Sequence, residues 1–129
     1  MGQQSRMERR RQRSPHASEA LNLQLGHVSR SYDLDAMVLA DLEGHLWAAS
    51  AWDPARVHLA GTVATMGVLA GGRDHFTIAH EAGHSVRVKT LKVGQALLYL
   101  AAQGAQARTQ PALDHAAGGV RRILGGLVS

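Results

Sequence analysis

The sequence predicts an α+β fold, with one five-stranded antiparallel sheet carrying helices in the order α-β-β-α-β-β-β-α. Three observations predict it. Apolar residues recur at helical spacing in three separate segments. Two stretches have the turn chemistry of hairpins between short apolar runs. The dipeptide Asp53-Pro54 divides the first hairpin from the second helix, with Asp at the N-cap and Pro at the first helical position.

The first helix starts near Ser14-Pro15 or Ser18, and Leu21, Leu25, Val28 and Tyr32 give it one apolar stripe. It is expected to end near Ser31. Ala36–Ala40 is a short continuous apolar run, as in a buried strand. In Asp41-Leu42-Glu43-Gly44 an Asp can bond the backbone and a Gly can take positive φ, so a turn follows and His45–Ala51 returns as the partner strand.

The second helix should run from Pro54 to about Ala70, before Gly71-Gly72. Between Val57 and Ala70 its only polar side chains are His58, Thr62 and Thr65. A surface helix needs one polar face, and this one is apolar around most of its circumference. A 129-residue chain has little material to cover a second apolar side, so another copy or a partner protein should do so. The expected interface residues are Leu59, Val63, Met66 and Ala70.

Phe76–His80, Ser85–Leu91 and Ala96–Ala102 read as three strands. Val86 and Val88 alternate with Arg87 and Lys89, the period of a strand with one buried face. Turns fall at Glu81–His84 and Lys92–Gln95. The last helix is expected from around Thr109 to Pro111 onward, with Leu113, Ala116, Val120, Ile123 and Leu127 on its apolar stripe. Gly118-Gly119 costs it about 2 kcal/mol of helix propensity, so packing must compensate or the helix bends.

The mass of 13.8 kDa fits one domain. The absence of cysteine excludes a disulfide scaffold, a thiol nucleophile and a thiolate zinc site. No apolar run approaches the roughly 20 residues that span a bilayer, and the N-terminus lacks the apolar core of a secretory signal, so a cytoplasmic protein is expected. The net charge of +4 resides in residues 1–16, where Arg6, Arg9, Arg10, Arg11 and Arg13 face only Glu8. The sequence therefore divides into a disordered basic arm, residues 1–16, and a neutral domain, residues 17–129. Such an arm either is a solvated extension or touches phosphate, on nucleic acid or an anionic membrane.

The order of elements resembles the roadblock / dynein light chain family over roughly residues 17–127. The resemblance is carried by Ala36-Met-Val-Leu-Ala-Asp-Leu-Glu-Gly-His-Leu-Trp-Ala-Ala-Ser, the apolar second helix, Ala96-Leu-Leu-Tyr-Leu-Ala-Ala and the closing Ala117-Gly-Gly-Val-Arg-Arg-Ile-Leu. It implies a homodimer in which second helices pack together and sheets join edge to edge. It also implies a non-catalytic regulator or scaffold that binds a small Ras-like GTPase or a signalling or motility complex. The family has no shared catalytic residue, so no catalytic, cofactor-binding or metal residue is assigned, and no small-molecule substrate is expected. Profilin-like and GAF-like domains share parts of the layout.

One motif argues otherwise. His80-Glu81-Ala82-Gly83-His84 matches H-E-x-x-H, in which two His on one helical face ligate zinc and Glu polarises a water. Here Thr77, Ile78, Val86 and Val88 favour strand, and Gly83 weakens a helix. The only downstream third ligands are Asp114 and His115, beyond two strands. A hairpin turn is therefore preferred, with a zinc metallohydrolase as the alternative and an adaptor using the arginine arm as a further one.

Overall fold

The computed structural model describes residues 15–79 and 84–128. Its elements are α1 (Pro15–Ser31), β1 (Ala36–Asp41), β2 (Leu46–Ala49), α2 (Pro54–Leu69), β3 (His75–Ala79), β4 (His84–Val93), β5 (Ala96–Ala105) and α3 (Gln106–Val128). The expected order holds throughout. All five strands pair antiparallel in one sheet, in the order β2-β1-β5-β4-β3.

Two apolar layers sandwich the sheet. Leu21, Leu25 and Val28 of α1 and Leu113, Ala116 and Val120 of α3 meet Met37, Leu39, Leu91, Leu98 and Leu100. The opposite sheet face carries Val38, Val86, Val88, Tyr99 and Ala101, packed against Val63 and Ala64 of α2. Leu98, Tyr99, Leu100 and Ala101 alternate between these layers, as successive side chains of a strand do, so the apolar run of β5 is buried on both faces.

The first hairpin closes as expected, and Asp41 is its clamp. Its Oδ1 accepts from the amides of Glu43 and His45, each at 2.9 Å, and its Oδ2 accepts from Trp47 Nε1 at 3.2 Å and lies 3.2 Å from His45 Nδ1. Gly44 takes φ of +89°. Burial alone would raise the Asp41 pKa. The donors from the His45 amide, Trp47, the Glu43 amide and the His45 ring outweigh it and hold the carboxyl below the ordinary range. Asp41→Ala should cost about 1–2 kcal/mol at neutral pH. A depressed folded pKa stabilises the native state above the unfolded value of about 4, and the benefit is lost as pH falls through the folded pKa. Urea titrations at pH 7 and pH 3 should therefore show the gap between wild type and variant narrowing at the lower pH.

Most strand ends shift by one or two residues from expectation, β2 shortening to Leu46–Ala49 and β4 taking in Lys92 and Val93, and three boundaries bear on the packing. β5 runs through Gln103-Gly104 to Ala105, because the α1–β1 connection lies directly on it. A Cβ at Gly104 would sit 2.9 Å from Leu34 Cδ2, and the Asp35 amide donates to the Gln103 carbonyl at 2.8 Å. α3 starts at Gln106, earlier than Thr109–Pro111, and takes Pro111 into its exposed face. At that end Arg108 pairs with Asp33 at 2.9 Å. His84, read as a turn residue, opens β4 opposite Ala105.

The glycine pair in α3 divides its roles. A Cβ on Gly119 would strike the Gln24 side chain, so this glycine lets α3 approach α1. Gly118 faces open space. Gly118→Ala should stabilise the chain by about 1 kcal/mol, read as a higher denaturation midpoint at unchanged slope. The basic arm lies outside the described residues up to Ser14, and Pro15 and His16 already belong to α1.

Candidate self-association face

α2 lies mainly over β1, with smaller contacts to β2 and β5. Asp53 caps it in the expected way, accepting from the Arg56 amide at 2.9 Å, with Pro54 in the first turn. Arg56 ties this end down, reaching Asp53 Oδ2 at 3.0 Å and the Asp35 carbonyl at 2.7 Å. The helix is fixed at its start on the sheet, and its remaining length is apolar.

Its inner face is Ala60, Val63, Ala64 and Gly67. These are mostly small residues, and the helix consequently rides close to the sheet. A Cβ at Gly67 would strike the Tyr99 ring, and a Cβ at Gly44 would lie 3.2 Å from the Gly61 Cα. Val63, expected at an intermolecular interface, is fully buried within its own chain. That assignment is corrected, because a side chain with no exposed surface cannot touch a second molecule. Leu59, Met66 and Ala70 are half-buried and share the other flank of the helix. Leu59 packs on the same core layer as the half-buried Phe76 and Ile78 of β3.

The outer face is the second apolar side for which the sequence predicts a covering partner. Val57 is 52% exposed, Val68 73% and Leu69 74%. Val57, His58, Gly61, Thr62, Thr65 and Met66 line an open depression along it. The two threonines add little polarity, since Thr62 Oγ1 donates to the His58 carbonyl at 3.2 Å and Thr65 Oγ1 to the Gly61 carbonyl at 3.1 Å. Their methyl groups are what remains to be presented. His58 is the sole ionisable side chain between Val57 and Leu69. Such a face suits helix-on-helix packing, and His58 is the one side chain lining the depression that can exchange a proton.

The sheet has two edges of unequal openness. At β2 the Asn22 side chain of α1 blocks the margin, its Oδ1 accepting from the Ala49 amide at 3.1 Å and from Trp52 Nε1 at 2.9 Å. Trp52 is thereby fixed while remaining 55% exposed, and Trp47 packs against the α1/α3 core. β3, the other edge, pairs among the described residues with β4 alone. It lies two strands beyond β5, the last strand with which α2 makes substantial contact.

Of the H-E-x-x-H segment, residues 80–83 lie outside the described residues. Their flanks are the antiparallel strands β3 and β4, registered with Ala79 opposite Ser85, and the backbone of His84 is extended. The helix that would put both histidines on one face therefore does not include His84. Among the described residues, Asp41, Glu43 and His45 bring three ligand-type atoms within 4.8 Å of one another. The Asp41 oxygens already hold the turn together, so the cluster is explained by the hairpin. No helix among the described residues is long and apolar enough to cross a membrane.

No protein-family model matches this chain, and no curated protein matches it. Solved structures do. MglB of Myxococcus xanthus superposes with a TM-score of 0.65 at 17% identity, over 87% of this chain and 92% of that one. A structure described as MglB with tetrameric arrangement gives 0.64 at 19% identity, over 87% and 93%. The gliding protein MglB from Thermus thermophilus gives 0.62 at 18% identity, over 85% and 92%. At such identities the likeness speaks for architecture: the chain has the roadblock-like fold of the MglB structures.

Proposed function

We propose that this protein is a non-catalytic homodimeric regulator or scaffold whose copies pair through the outer face of α2, and that it acts on a small Ras-like GTPase in the cytoplasm. The observation that carries the reading is the apolar outer side of α2, which nothing among the described residues covers. A second copy is the fitting occupant, because the face is apolar and nearly free of charge, as a self-complementary helix pair requires. The interface then comprises Leu59, Met66 and Ala70 on one flank, Thr62, Thr65 and Leu69 around the centre, and Val57 on the opposite flank. The GTPase partner is what the family resemblance implies, and the likeness to MglB, one structure of it tetrameric and another described as a gliding protein, supports an assembling regulator.

Native mass spectrometry tests the first half. A species at twice the chain mass is expected, and a monomer at micromolar concentration would refute the pairing. The second half is tested by immobilising the protein and passing Ras-like GTPases loaded with GDP or a non-hydrolysable GTP analogue. Binding that depends on the nucleotide is expected, and it should survive deletion of residues 2–15. Loss on that deletion would favour an adaptor working through its arginine arm.

A further inference from the structure

We propose that His27 and His115 form a two-histidine clip for a borderline-soft divalent metal ion of the zinc or nickel class, joining α1 to α3. The site lies on the sheet face opposite α2 and is independent of self-association.

The packing of the two helices creates it. At Gly119 the missing side chain lets α3 close on Gln24 of α1. One turn forward along α1 and one turn back along α3 stand His27 and His115, both exposed, with ring centroids 6.4 Å apart and planes at 84°. Farther along the same antiparallel crossing come Tyr32 and the Asp33–Arg108 ion pair.

Tyr32 prepares one ligand. Its hydroxyl lies 3.1 Å from His115 Nδ1, and the rings meet edge to face with centroids 5.7 Å apart. The tautomer in which Nδ1–H donates to the tyrosine oxygen leaves Nε2 with its lone pair free. Metal-bound histidines are held in this way by a partner on the second ring nitrogen. Two imidazoles on one tetrahedral zinc, at Zn–N distances of about 2.0–2.1 Å, have centroids about 5 Å apart. The pair needs to close by about 1 Å, a small rotamer adjustment for two exposed side chains. Arg108, the cation on this part of α3, is already neutralised by Asp33. Two nitrogens and water favour zinc, nickel or copper over magnesium and calcium, which require oxygen ligands.

An ion bound only by the folded pair raises native stability by linkage. The experiment is thermal unfolding and calorimetric titration of the full chain with zinc chloride, and with magnesium chloride for comparison. One zinc per chain and a rise in Tm of several degrees are expected, with no response to magnesium. Exposed positions tolerate replacement, so His27→Ala and His115→Ala should fold and lose the shift. Tyr32→Phe should weaken binding by about tenfold or more while leaving both ligands in place. His45→Ala and the double variant His80→Ala/His84→Ala should keep the shift, because they empty the hairpin cluster and the H-E-x-x-H segment. A shift that survives in His27→Ala or His115→Ala, or vanishes in either control, overturns the clip, as does the absence of any zinc response.

Discussion

Val63→Glu is expected to leave no folded protein, whereas Thr65→Glu, two residues along the same helix, is expected to leave a folded monomer. Val63 is fully buried in the layer it shares with Val38, Val88 and Tyr99, and that layer is apolar. A carboxylate there costs several kcal/mol, which is comparable with the roughly 5–15 kcal/mol that holds a domain of this size together. Thr65 stands on the outer face, exposed, with its hydroxyl turned back onto the helix. Replacing it changes chain stability by about 0.5 kcal/mol at most. In an isologous pair the same replacement places two carboxylates in one apolar interface. A penalty of about 3 kcal/mol or more follows, an increase in dimer Kd of about 100-fold. Circular dichroism and sedimentation velocity together separate the cases. A Thr65→Glu protein that remains dimeric at micromolar concentration would remove the outer face of α2 from the interface. A Val63→Glu protein that folds would contradict the core.

The same pair shows what the sequence could and could not say. The helix itself was legible, from Asp53-Pro54 at one end and Gly71-Gly72 at the other. So was its need for cover on two sides. Which side faces the sheet was not, because a helix apolar all round carries no preferred direction in its hydrophobic pattern. Leu59, Val63, Met66 and Ala70 form one stripe, and Ala60, Val63, Ala64 and Gly67 form another. Close approach to the sheet selects the second, since only small side chains fit between α2 and the Tyr99 ring. The run of Ala and Gly was the available signal, and it marks the side nearest the sheet. A similar cause hid the end of β5. Gln103-Gly104 reads as a break in an apolar strand, yet the glycine is where Leu34 crosses it. The start of α3 was obscured by Pro111, a residue expected in a first turn that here stands in the sixth position of the helix. The encounter of His27 with His115 depends on the docking of two helices far apart in the chain, and no local pattern announces it.

Gly61→Ala and Gly67→Ala should act in opposite directions although both replace a mid-helix glycine. Either change adds about 1 kcal/mol of helix propensity. At Gly67 the new methyl would strike Cζ and Oη of Tyr99. That ring is 7% exposed and packed edge to face on Phe76, centroids 6.0 Å apart, so it has little room to retreat. Overpacking of this kind outweighs propensity and should leave the variant about 1–3 kcal/mol less stable. Tyr99→Leu should relieve most of the clash, so that the double variant loses less than the sum of the single losses. At Gly61 the methyl meets nothing within 4 Å, and the isolated chain should gain the full propensity term. The depression that Gly61 shares with Val57, Thr62 and Thr65 is where a second helix can come closest, and a methyl there holds it off. Denaturation at low concentration should show the Gly61→Ala chain more stable, while sedimentation equilibrium shows its dimer weaker by about tenfold, roughly the 1.4 kcal/mol expected of a small steric misfit. A variant that gains in both measurements would mean that the helices cross elsewhere on the face. One that loses in both would mean that Gly61 serves the fold of its own chain.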